Sequence, residues 1–228
     1  MEVSAALTGK GLLTPIQRSF LTLFAEMPDQ DQFYLTGGTA LAEYYLGHRL
    51  SFDLDFFTGV DGLVLPISFQ IEKAGREHNL NIRVIRRFTS YVELLVESQG
   101  NNLKIDLALD SPFRFEPPAL SSEGVFVNDY KDLRVDKLLA YFGRAEPRDA
   151  VDLFYILKKE SIDDLILLAS QKDTGFDIYW FTIALDKSAD FPDQLDLWPV
   201  KVLIPFDPIR LKSDFHSLAV SLLRSLNK

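Results

Sequence analysis

Asp53 and Asp55 stand one residue apart in the apolar run "FDLDFF", where burying even one carboxylate is costly unless it is paired or binds a cation. Residues two apart on a strand share a face, so these carboxylates repel unless a positive charge sits between them. Mg²⁺ meets that need, because it takes one or two carboxylates together with substrate phosphates. A third acid in the same kind of setting is Asp106 in "LKIDLALD", flanked by Ile105 and Leu107. Three carboxylates on adjacent strands can hold two ions for an in-line phosphoryl displacement. Upstream, "LTGGT" puts Gly37, Gly38 and Thr39 at a strand-to-helix turn. Glycines there let backbone N–H groups approach phosphates, and the following helix N-terminus favours an anion. Thr39 can add a hydroxyl. Neither G-x-x-x-x-G-K-[ST] nor G-x-G-x-x-G is present. Asp110, before Ser111-Pro112, reads as a turn residue.

The elements that must position these groups are legible in outline. Thr14-Pro15 predicts a capped helix to about Ala25. "QFYLTGG" predicts a strand, and "TALAEYYLG" a helix closed by Gly47. "SFDLDFF" reads as a strand carrying both aspartates, and Pro66 as the start of a helix to about His78. "NIRVIRRF", "YVELLVES" and "NLKIDLALD" alternate and read as three strands, the last two joined by a hairpin at "SQGNN". Beyond residue 122 the pattern turns helical. Helices are expected in "NDYKDLRVDKLLAYFGR", capped by Asn128 or Asp129, in "EPRDAVDLFYILKK", "SIDDLILLASQ" and "FDIYWFTIALDKSA", and in the closing "PIRLKSDFHSLAVSLLRSL". The chain is therefore expected to divide into an α/β part, 1–122, and a helical part, 123–228. The aromatic "IYWFTI" is expected in the helical core.

Composition narrows the setting. The 228 residues include no Cys, so any metal site must use oxygen or histidine ligands, and a reducing cytoplasm fits. There is no signal-like start and no membrane-length apolar run. The net charge of −9 argues against a broadly basic nucleic-acid surface. The densest basic run, Arg83, Arg86 and Arg87, reads as a solvated strand face.

"GGTALAEYYLGHRLSFDLDFF", followed by "DKLLAYFGRAEPRDAVDLF", resembles the AbiEii/AbiGii-type nucleotidyltransferases of the DNA polymerase β superfamily. The likeness lies in ordered pieces over about residues 33–160: G-G-T, G-H-R-x-S-x-D-x-D, a lysine helix and R-D-x-x-D-L. It implies an α+β fold, with a minimal mixed-sheet core, flanking helices and a helical C-terminal region that completes the active site. It also implies Mg²⁺-dependent transfer of a nucleotide from an NTP, toxin–antitoxin biology with a cognate antitoxin, and for some members a tRNA acceptor. By motif match, Gly37, Gly38, Thr39, Arg49 and Ser51 would contact the nucleotide, with Lys137 and Arg148. Asp53 and Asp55 would hold metal, and Lys137 and Asp152 would be the essential lysine and late aspartate. Asp106 rests on its strand context as a further metal or proton-accepting group.

Lys137, on an amphipathic helix, could neutralise a triphosphate or be solvated. Arg148 and Asp152 are i,i+4 neighbours and could simply pair. His48 and Arg49 could orient Asp53, touch phosphate or cap the loop. A catalytically degenerate nucleotide-binding or interaction module is the rival expectation.

Overall fold

Helix α1, Pro15–Ala25, starts at a reciprocal capping box. The Thr14 hydroxyl accepts the Gln17 N–H at 3.3 Å, and the Gln17 amide oxygen accepts the Thr14 N–H at 2.9 Å. Both donors would otherwise be left over at a helix start. The computed structural model describes residues 6–78 and 80–226. It forms two units, Met1–Tyr130 and Lys131–Lys228.

The first unit is built on a mixed seven-stranded sheet in the order β3-β4-β5-β2-β1-β7-β6. Its strands are β1 (Tyr34–Thr36), β2 (Leu54–Thr58), β3 (Asn81–Arg87), β4 (Tyr91–Ser98), β5 (Asn101–Leu109), β6 (Ala119–Leu120) and β7 (Phe126–Val127). Between β1 and β2 lies α2, Gly37–Ala40, which widens into a π-helical turn over Leu41–Leu46. There the Gly47 N–H reaches back five residues to the Ala42 carbonyl, at 2.9 Å, and Gly47 takes the left-handed conformation expected of it. Helix α3, Val64–Glu77, follows β2. It begins two residues before Pro66, a tolerated place for proline because first-turn N–H groups have no helical acceptor. Gln99 and Gly100 both have positive φ, the backbone of the tight hairpin turn that "SQGNN" predicts between β4 and β5.

Alternation along the strands separates two faces. Leu54 and Phe56 of β2, Val92, Leu94 and Val96 of β4, and Leu103, Ile105 and Leu107 of β5 are fully buried. This face meets α1 and α3; Phe24 of α1 stacks on Phe56 with ring centroids 4.1 Å apart. The intervening residues, which include the acids, form the other face. β6 and β7 are each two residues long, too short for an alternation signal, and lie outside the expected strands.

A segment before α1 is pinned by Glu43, which is 1% exposed. Its carboxylate accepts the N–H groups of Gly11 at 2.9 Å and Leu12 at 2.6 Å, and charged acceptors of this kind are among the stronger hydrogen bonds.

The second unit holds most of α4 (Tyr130–Arg144), then α5 (Pro147–Leu157), α6 (Ile162–Lys172), α7 (Ile178–Asp186) and α8 (Pro208–Leu226). Lys172 of α6 bridges Asp132 at 2.8 Å and Asp136 at 2.6 Å on α4. On α7 only part of the aromatic run enters the core. Phe181 and Thr182 are buried, but Tyr179, Trp180 and Ile183 face solvent, because a helix with consecutive apolar residues can still turn only one stripe inward. Among the described residues no helix is long and apolar enough to cross a membrane.

Candidate active site

β1 and β2 run antiparallel, so the end of β1 meets the beginning of β2. The register pairs Thr36 with Asp55, and the Gly37-Gly38 turn that follows Thr36 therefore lies beside the aspartates. Two motifs separated in sequence become one site through strand pairing.

The two glycines are required by this closeness. Gly37 has φ +70°, and a Cβ there would lie 2.0 Å from Asp55 Oδ2. A Cβ on Gly38 would lie 2.4 Å from the Arg49 guanidinium and 2.9 Å from Ser51 Oγ. Gly37, Gly38, Arg49, Ser51 and Asp55 thus share one cradle. With Asp55 as the metal-holding group that the resemblance implies, Gly37→Ala is expected to lower turnover by about 10- to 100-fold, the usual penalty for disturbing the support of such a group. It should cost roughly 1 kcal/mol of stability through the left-handed backbone. Steady-state kinetics beside a melting curve would check both.

Asp53 lies one residue before β2, not within it, because its backbone is held by side chains rather than by a strand partner. The Thr39 hydroxyl donates to the Asp53 carbonyl at 2.5 Å. Gln17 Nε2 donates to the Ser51 carbonyl at 3.0 Å and reaches the Asp53 carbonyl at 3.5 Å. Thr39 and Gln17 are 2% and 0% exposed, so both position the Asp53 segment from below. Gln17 was not among the expected site residues. Its signal is the capping box T-P-I-Q, which explains its presence without disclosing the second bond. Arg49 is buried, with one guanidinium nitrogen 3.0 Å from the Leu50 carbonyl, and His48 is fully buried beside it.

On β5, Asp106 sits level with Asp55, and on β4 Glu93 sits level with Asp106. The sheet therefore carries the row Asp55–Asp106–Glu93, as adjacent strands predict, with an extra acid that "YVELLVES" hid. Asp106 is already engaged at both oxygens: Tyr91 donates to Oδ1 at 2.9 Å and Lys104 Nζ to Oδ2 at 2.6 Å. Burial and this hydrogen bond push the Tyr91 phenol well above its ordinary pKa. Burial opposes the charge of Lys104, but its hydrogen bond to Asp106 and the charges of Asp106, Asp53 and Glu93 outweigh it and raise its pKa.

Asp55 brings a hard oxygen donor to the glycine turn and Asp53 stands two residues before it, a donor chemistry that fits a divalent cation. Asp106 meets Tyr91 and Lys104, and among the described residues no three His, Asp or Glu groups are gathered closely enough to hold an ion together. Asp110 behaves as the expected turn residue: Oδ1 accepts the Ser111 N–H at 2.8 Å and Oδ2 the Tyr34 hydroxyl at 2.6 Å. The basic run of β3 is answered by acids, with Arg83 on Glu97, Arg86 on Glu93 and Arg87 on Glu72.

In the second unit, Lys137 of α4 is 7% exposed, and its Nζ lies 2.8 Å from Asp152 Oδ2 and 3.6 Å from Asp149 Oδ1 on α5. Arg144 grips Asp149 with two bonds, 2.6 and 3.0 Å. Arg148 turns outward to Glu146 at 3.2 Å. The i,i+4 spacing of Arg148 and Asp152 is thus not used: the buried aspartate takes the buried lysine.

Residues 19–201 match the family of nucleotidyl transferase AbiEii toxins of type IV toxin–antitoxin systems. The chain belongs to this family. AbiEii proteins are nucleotidyltransferases, and the family generally uses an NTP and a divalent metal and implies an antitoxin partner. An uncharacterized protein of Aquifex aeolicus is 29% identical over 188 residues, 78% of this chain and 82% of that one. The fold is shared with two solved structures. JHP933 from Helicobacter pylori superposes with a TM-score of 0.60 at 20% identity, covering 92% of this chain and 90% of that one. MenT4, a nucleotidyltransferase toxin from Mycobacterium tuberculosis, gives 0.59 at 16% identity, covering 90% and 82%.

Proposed function

We propose that this AbiEii-family enzyme transfers a nucleoside monophosphate from an NTP to an acceptor hydroxyl, with Mg²⁺ as the divalent ion. One observation carries the reading most directly: Asp55 meets the Gly37-Gly38 turn in one cradle, its carboxylate lying where a Gly37 side chain would be, with Asp53 two residues before it. Asp53 and Asp55 would hold the ion, which when bound neutralises and orients the triphosphate. The glycine turn offers backbone N–H groups to phosphate oxygens. Arg49 and Ser51 line the same turn. Thr39 and Gln17 act through the backbone, fixing Asp53. Lys137 and Asp152 keep the roles that the family motif implies, the ammonium countering charge on the departing pyrophosphate and Asp152 holding that ammonium in place. Arg148, exposed on the surface, is suited to contacting the donor or the acceptor.

In the reaction the acceptor hydroxyl oxygen attacks the α-phosphorus, a new P–O bond forms, the bond to pyrophosphate breaks, and the hydroxyl proton passes to solvent. Such transfers depend on positioning and electrostatic stabilisation more than on covalent chemistry by the protein. The acceptor is a tRNA or other RNA, a protein side chain or a small molecule; with the β3 arginines engaged by acids, an RNA would be held by a local surface and not by a broad basic face.

Incubation with each α-labelled NTP, Mg²⁺, total tRNA and cell lysate, beside an Asp53→Ala/Asp55→Ala control, tests this reading. Label on RNA that requires both aspartates is the expected result. Label on protein alone would move the acceptor, and absence of label from every fraction would overturn the proposal.

A further inference from the structure

Lys104 has no place in the family motif, yet it stands inside the acidic row. It precedes Asp106 by two residues on β5 and so shares its face. The register that pairs Leu54 with Ile105, continued one residue back, brings Lys104 level with Asp53. Its ammonium is 2.6 Å from Asp106, and the charges of Asp106, Asp53 and Glu93 all act on it. As a stabilising ion pair it contributes little, because the lysine side chain is 38% exposed and exposed pairs are screened. Its importance lies in where the charge stands. Tyr91 holds the other oxygen of Asp106, so the carboxylate is clamped toward the lysine and away from a role as an open ligand.

The geometry points to a built-in cation: Lys104 supplies beside Asp106 the positive charge that a second divalent ion supplies in two-ion phosphoryl-transfer sites, leaving Asp53 and Asp55 to hold a single ion. Asp106 is then a positioning residue, whose task is to fix the ammonium next to Asp53. Arg86 on Glu93 at 3.4 Å and Lys104 on Asp106 at 2.6 Å answer the acids that β4 and β5 bring to the row. This inference rests on the reading of Asp53 and Asp55 as the metal-binding pair.

Counting bound Mn²⁺ by electron paramagnetic resonance, with Mn²⁺ alone as the probe and circular dichroism to confirm folding, tests it. The wild type is expected to bind one ion, lost in Asp53→Asn/Asp55→Asn. Lys104→Met should bind two, since Asp106 and its acidic neighbours are then left without the ammonium. Lys104→Arg should stay at one, and Lys104→Met/Asp106→Asn should return to one. A Lys104→Met protein that still binds one ion overturns the inference and leaves the proposed function standing. A wild type that binds two, one of them lost in Asp106→Asn, overturns it as well. A wild type with no site dependent on Asp53 and Asp55 overturns the metal assignment itself, and this inference with it.

Discussion

Asp55→Asn is expected to reduce nucleotidyl transfer by at least ~10³-fold, because a single neutral donor to a transition state already accounts for about 10²- to 10³-fold and Asp55 would contribute a full charge to the ion. Asparagine keeps the shape that fits the Gly37 cradle, and it removes a negative charge from a row that also holds Asp106 and Glu93. The fold should therefore survive, with a melting temperature within about 3 °C of wild type, the shift that corresponds to roughly 1 kcal/mol in a chain of this size. Rate measurement under single-turnover conditions separates the two effects. Retention of a tenth of the wild-type rate would remove Asp55 from the catalytic machinery.

Lys137→Met is expected to act on stability as well. Asp152 and Asp149 are both 0% exposed, and removing one partner of a buried ion pair costs roughly 3–5 kcal/mol because the charge left behind is uncompensated. Asp149 retains Arg144, whereas Asp152 loses its 2.8 Å contact with the ammonium. Replacing both partners, as Lys137→Met/Asp152→Leu, should recover most of that stability, since a well-packed apolar pair is often as good as a buried ionic one. Transfer activity should stay absent in both proteins. Urea unfolding and transfer assays of the two variants are the check: a single variant within 1 kcal/mol of wild type would remove the stability role, and a double variant that regains activity would leave the lysine a merely structural one.

The parts of this site that were readable in sequence are those defined by neighbours along the chain. The diglycine turn, the D-x-D pair, the Gln99-Gly100 hairpin and the Thr14 cap each express a local backbone requirement. Lys104 and Glu93 were not readable as site residues, since their meaning depends on which strands pair and in what register, and β2 pairs with β5 across two intervening strands of sequence. Asp53 looked like a strand residue because "FDLDFF" alternates, but side-chain bonds from Thr39 and Gln17 take its carbonyl before the ladder begins. For Asp152 spacing suggested Arg148. Burial decided for Lys137, because an arginine at the surface gains little from a partner that would have to leave the core. The composition of "IYWFTI" said core, but composition is blind to the side of α7 on which each ring falls.

The bond from Gln17 to the Ser51–Asp53 backbone reaches beyond catalysis into how the chain can be shortened. The family match begins at residue 19, and Thr14, Gln17 and the Gly11–Leu12 loop held by Glu43 all lie ahead of it. A protein trimmed to the matched segment would keep every motif residue yet lose the brace beneath Asp53 and leave the buried Glu43 carboxylate without its donors. The family boundary and the functional boundary of this enzyme are therefore different lines, and the second runs at least eight residues closer to the N-terminus, in front of Gly11.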